Sequence, residues 1–205
     1  MEDDNLYKWK KSKDKAKAAA GICLIMFLFT FISAKVYKIE KLKFKTVILS
    51  KKPKFSKICV NGCSYSVEIS FIGESKDYTI NGIDYKYLIH RKFKKNVNQG
   101  DTVKLGLSDN NIAKISKNNI EYLRFEEAQK HKLKNHLFSR WLFLVGFISF
   151  MIPQFFNKRP KYTEDGITKE IHFGGIIFAI ILITIIILLI TIGITFVSGS
   201  EFIEY

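Results

Sequence analysis

Three runs of the chain are apolar almost without interruption, and the segment between the first two alternates instead. The last run, GGIIFAIILITIIILLITIGITFV at 174–197, has no charge, and at about 1.5 Å per helical residue it outspans a hydrocarbon core of roughly 30 Å. The first, AAAGICLIMFLFTFISA at 18–34, is shorter, but Lys15, Lys17 and Lys35 extend it by carrying their ammonium groups out to the interfaces. The second, LFSRWLFLVGFISFMIPQFF at 137–156, holds Arg140 near its start and Pro153 near its end, where a helix terminus at the interface tolerates both. A buried, functional Arg140 is the sharper alternative. Each run predicts a transmembrane helix.

Between the first two runs the period changes to two. In YSVEISF, Tyr65, Val67, Ile69 and Phe71 alternate with Ser66, Glu68 and Ser70, which is a strand with one buried face. Gly73 to Lys76 follows as a turn. DYTINGIDYKY sets Asn81-Gly82 between alternating residues and predicts a two-residue hairpin, with Ile80 facing Ile83, Tyr78 facing Tyr85 and Asp77 facing Lys86. Further strands are expected at Leu42 to Leu49 and at Thr102 to Leu107, the latter opened by Gly100-Asp101. About five short strands suggest a small barrel or a curled sheet. Asn118 and Asn119 are candidate caps for a helix over EYLRFEEAQKHKLKNH, acidic early and basic late as a helix dipole favours, leading straight into the second apolar run.

The expected fold is therefore an α+β integral membrane protein, three transmembrane helices with a small antiparallel β domain inserted between the first and second. Its parts are a basic tail at 1–17, helix 18–34, β domain 35–117, connecting helix 118–136, helix 137–156, loop 157–173, helix 174–197 and a short tail 198–205. A basic lead-in before the first run raises a cleaved signal peptide as an alternative. Its length, and Ile32 where cleavage wants a small residue, favour an uncleaved anchor.

Charge orients the spans. Lys8, Lys10, Lys11, Lys13, Lys15 and Lys17 precede the first, Lys158, Arg159, Lys161 and Lys169 lie between the second and third, and the last tail has only Glu201 and Glu204. Short basic segments stay in the cytoplasm, so the N-terminus is expected inside the inner membrane and the β domain outside. Residues 35–136 pull the other way, with 22 Lys and Arg against 10 Asp and Glu, or +12 of the chain's +14. Such a domain attracts anionic lipid headgroups or acidic partners. With this topology, nucleic acid is an unlikely ligand.

YTINGIDYKY followed by VNQGDTVKLGLSDNNIAKI resembles the DUF3592 family of bacterial membrane proteins, in which an Asn-Gly-like turn precedes a Gly-Asp-x-Val strand. The resemblance covers residues 78–116, and Leu107-Ser108-Asp109-Asn110-Asn111 stands where the family has a Tyr and prolines. It implies a small β domain between transmembrane helices and no catalytic residues.

Cys59 and Cys63 flank Val60-Asn61-Gly62, which is expected to form a three-residue hairpin turn, and are a candidate disulfide in an oxidising compartment. Cys23 lies within the first run as a small apolar residue. His90, His131, His136 and His172 share no metal-binding spacing, and Glu127 with His131 reads as a surface pair. No P-loop, dinucleotide fingerprint, GxSxG elbow or HExxH helix occurs, and no catalytic, cofactor-binding or metal residue is assigned. The reading favoured is a non-catalytic membrane-anchored binding or assembly protein with lipid and a membrane or envelope protein, or another copy, as partners. An immunity protein or an envelope enzyme are the alternatives.

Overall fold

A computed structural model describes residues 2–33, 36–60, 62–108 and 111–192. They form two compact units, one of residues 2–33 with 134–192 and the other of residues 36–133.

The second unit is antiparallel β with two short helices. β1 (Lys43–Ile48), β5 (Thr102–Ser108), β6 (Asn111–Lys117) and β7 (Ile120–Glu121) make one sheet in the order β1-β5-β6-β7, and β2 (Lys54–Cys59), β3 (Cys63–Ile69) and β4 (Tyr78–Asn81) make another in the order β2-β3-β4. The sheets join where Leu49 bridges Phe71, with Ser50 N–H donating to the Ser70 carbonyl and Ile72 N–H to that of Ile48. Two sheets meeting at one corner thus replace the small barrel or curled sheet expected.

The strands expected at 42–49, 65–71 and 102–107 are present, and their alternation builds the core. Val47, Val67, Ile69, Ile80, Val103, Leu105 and Ile115 cluster with Phe93, Val97, Tyr122 and Leu123. Burying each large aliphatic side chain there stabilises the unit by about 1.5–3 kcal/mol before conformational entropy is charged. A second, smaller cluster of Leu42, Ala113 and Phe125 covers the other face of the sheet. It depends on Gly106, where a Cβ would lie 3.0 Å from the Lys114 Cβ and 3.1 Å from the Leu42 Cδ1. β1 is the outer strand of its sheet, and Lys43 and Lys45 stand opposite Leu107 and Leu105. Both lysines are exposed, and charges along an outer strand discourage pairing with a second chain.

The Asn81-Gly82 hairpin is not formed. Asn81 is extended at φ −143°, and only Gly82 takes a positive φ, 57°, whereas a two-residue hairpin of the type expected needs both. The chain enters α2 (Gly82–Lys86) instead, which buries Tyr85 and stacks it on Tyr65 at 5.8 Å. Asn118 and Asn119 are not helix caps either. At φ 50° and 61° they turn β6 into β7, with Lys117 paired to Ile120. The connecting helix expected from 118 therefore begins at Phe125, whose N–H donates to Glu121 Oε1 at 3.1 Å. It continues without a break as α4 (Phe125–Met151).

The first unit is helical. α1 (Glu2–Ser33), α4 and α5 (Phe173–Ile192) each contain a stretch long and apolar enough to cross a bilayer. Four hydroxyls in these helices bond locally, Thr30 on the Phe27 carbonyl, Ser139 on Asn135, Thr184 on Ile180 and Thr191 on Ile187. Gly146 of α4 lets Cys23 of α1 approach, since a Cβ there would lie 3.1 Å from its Sγ. At the far end of α1, Lys13 donates to the Phe156 carbonyl at 3.1 Å, Gln154 Nε2 donates back to the Lys13 carbonyl at 2.9 Å, and Trp9 packs on Phe173 at 5.6 Å. Between α4 and α5 the expected loop holds a hairpin, β8 (Lys161–Glu164) and β9 (Ile167–Glu170), turned by Asp165-Gly166, both at positive φ. The end of the third expected span, 193–197, and the tail 198–205 lie outside the described residues.

Candidate anion-binding surface

α3 (His90–Asn96) has the sequence HRKFKKN, with one apolar side chain among four cations. That side chain, Phe93, fixes the helix. It is fully buried and meets Tyr122 at 5.7 Å and Phe55 at 6.3 Å, both edge-on, while Val97 one turn later is also fully buried. The approach to α3 is held by Ile89 N–H on the Tyr122 carbonyl, 2.8 Å, and by Arg124 N–H on that of Tyr87, 3.1 Å. With Phe93 and Val97 inward, the cations face out.

Arg91, Lys92, Lys95 and Asn96, with Ile120 of β7, line an open concavity of about 380 Å³. None of the lining residues is acidic. Beneath its rim, Lys117 donates to the Asn96 carbonyl at 2.7 Å and to Asp101 at 2.6 Å, and Asp101 also accepts from Asn98 N–H at 2.7 Å. The Lys117 ammonium, helped by that N–H, holds the Asp101 carboxyl below the usual carboxylate range. The network neutralises Lys117 and braces the end of α3.

At the start of α3, His90 packs against Tyr85 with ring centroids 4.3 Å apart, and burial pushes its imidazole below the usual range despite a backbone hydrogen bond at Tyr85 that pulls the other way. Lys94 lies over the Phe55 ring at 5.9 Å. These contacts position α3.

The other residues singled out in the sequence fall elsewhere. Cys59 and Cys63 close a disulfide at the end of the β2–β3 hairpin, where they are register partners with Cα atoms 4.1 Å apart. Ile58 and Val60 beside them are exposed. His131 and Glu127 each have a further partner. His131 meets the Tyr87 hydroxyl at 3.0 Å, and Glu127 takes Arg124. Among the described residues, no group of three His, Cys, Asp or Glu side chains could hold a metal ion. The patch on α3 was missed in the sequence because one Phe gives no periodicity, although four cations within seven residues were a signal.

No family model, no curated protein and no solved structure matches the chain.

Proposed function

We propose that the chain is a non-catalytic, membrane-anchored binding or assembly protein whose β unit captures an anionic partner on α3. The observation that carries this reading is the concavity lined by Arg91, Lys92 and Lys95 with no carboxylate among its lining residues. Its setting is a segment with 22 Lys and Arg against 10 Asp and Glu. Low-dielectric walls concentrate the field of such a cluster and raise the encounter rate with anions. α1, α4 and α5 act as membrane spans, the N-terminus lies in the cytoplasm and the β unit lies outside, as the short basic segments favour. The disulfide accords with that side, where oxidised thiols persist. Residues 78–116 support kinship with the DUF3592 family of bacterial membrane proteins.

The test uses purified full-length protein in detergent and inorganic polyphosphate as the probe, with binding read by fluorescence anisotropy. Exchanging Arg91, Lys92 and Lys95 together for Gln abolishes most of the binding, while the control set Lys51→Gln, Lys52→Gln and Lys54→Gln, which removes the same charge, leaves it. Equal losses would mean that total charge, not a site, does the binding. Orientation is read separately, by an impermeant thiol reagent on Ser75→Cys in cells expressing a background without Cys59 and Cys63. Labelling is expected in intact cells, and labelling confined to lysed cells would reverse the topology.

A further inference from the structure

Arg140 is the single charged side chain within the three apolar runs. It follows the first residue of its run, Leu137, by three positions, about 4.5 Å along the helix axis. No Asp or Glu occurs in 18–33, 137–156 or 173–192, so those runs supply no carboxylate. What they supply is an aromatic face: the Arg140 guanidinium carbon lies 4.3 Å from the centroid of the Phe31 ring, which Phe27 meets edge-on at 5.2 Å. Nε of Arg140 is buried with no hydrogen-bond partner. Phe31 is itself 55% exposed, which puts the stack on the outer surface of the helical unit. Connectivity fixes its level. Phe31 is two residues from the end of α1 and Arg140 opens the apolar run of α4, so both lie at the ends of their helices nearest in sequence to residues 36–133.

We propose that Arg140, lying over the Phe31 ring, binds the phosphate of an anionic phospholipid headgroup in the leaflet where α1 ends and the apolar run of α4 begins. This rests on α1 and α4 spanning the membrane, and not on the anion site of α3. A guanidinium this close to the boundary of the hydrocarbon reaches the phosphate layer along its own side chain. The contact with Phe31 restrains the guanidinium, and a guanidinium offers paired N–H donors that match two phosphate oxygens, a geometry an ammonium lacks. Lys134, in the turn before Leu137, adds favourable potential for a net negative headgroup over a zwitterionic one. A protein carboxylate is less favoured, because the cation lies at the depth where lipid phosphates are abundant and sits on the lipid-exposed side of the ring.

Native mass spectrometry of the full-length protein released from detergent, titrated with phosphatidylglycerol or phosphatidylcholine of matched chain length, tests this. Wild type should retain phosphatidylglycerol with about fivefold preference. Arg140→Gln should erase the preference, Arg140→Lys should keep part of it, Phe31→Leu should reduce it by about half, and Lys13→Gln, at the opposite end of α1, should not change it. Circular dichroism melting verifies that each variant is folded. The proposal is overturned by no preference in wild type, by full preference in Arg140→Gln, by full preference in Arg140→Lys and Phe31→Leu together, by displacement of the lipid with millimolar inorganic phosphate, or by a stoichiometric second protein that leaves with Arg140→Gln.

Discussion

Residues 36–133 and the helical unit are both rich in large apolar side chains, yet they dispose of them in opposite ways. In the β unit Leu49, Ile69, Phe93 and Leu123 are closed off almost completely by other parts of the same unit, whereas Ile183, Phe178 and Ile190 of α5 remain open along much of the helix. The first arrangement is driven by water and finishes itself. The second is complete only in surroundings as apolar as its own surface. Polar atoms repeat the contrast. The β unit pairs side chains across long stretches of sequence, Lys45 with Glu74, Lys117 with Asp101 and Lys132 with Asp84, while the Thr30 and Thr184 hydroxyls of the long helices return to carbonyls three or four residues away. A substitution should therefore register according to the unit it strikes.

The largest difference is expected between Phe93→Ala and Ile186→Ala. The first empties the β core and should cost about 3–5 kcal/mol, read as a lowered melting temperature of the full protein in nanodiscs. The second trims a half-exposed face and should move it little. Equal shifts would remove the distinction between the units. Gly106→Ala is next, at about 2 kcal/mol, because the added carbon meets backbone-attached atoms of Lys114 and the fixed side chain of Leu42. Gly174→Ala, with open space around its Cβ position, is the matched control.

Asp101→Asn should cost about 1 kcal/mol at neutral pH, at the low end for a charged hydrogen bond because both partners reach solvent. The Asp101 carboxyl is held below its ordinary value, so this stabilisation is complete above the ordinary carboxylate range and fades as pH falls through the lowered value. Acid titration of the melting temperature should lose that limb in the variant. The smallest effect belongs to His90. Its folded-state affinity for protons is depressed, so the unfolded chain binds the proton first and stability declines as pH drops through about 6.5. Melting at pH 7.5 and 5.5 should show this in wild type, and His90→Leu should reduce the difference.

Two-residue turns show where the sequence was legible and where it was not. Alternation identified the strands around Val67 and Val103 because one face of each enters the core. Asn81-Gly82 carried the familiar hairpin pair, but the residues after it served burial through a helix: Tyr85 and Leu88, three apart, both enter the core. The hairpins that do form turn on Asn118-Asn119 and Asp165-Gly166. The first was masked by the helix that follows, and the second by strands with no buried position, four exposed on β8 and three of four on β9. The α3 surface was hidden for a related reason. A seven-residue helix held by Phe93 owes its existence to tertiary contacts, which local pattern does not encode.

β1 lies early in the chain and its partner late: Ile48 pairs with Thr102 and Lys43 with Leu107, 54 and 64 residues apart. During synthesis the strand must wait for that partner to emerge, beside an α1 that has already left the ribosome. Its neighbours β2, β3 and β4 can meanwhile pair among themselves through short connections. A waiting strand is a hazard where copies of a nascent chain crowd a surface. The lysines at 43 and 45 set charge along β1 against any partner that cannot accommodate them, and Glu74, which takes Lys45 in the finished fold, is made before β5. The order of manufacture thus gives these two side chains a protective task that precedes the folded state.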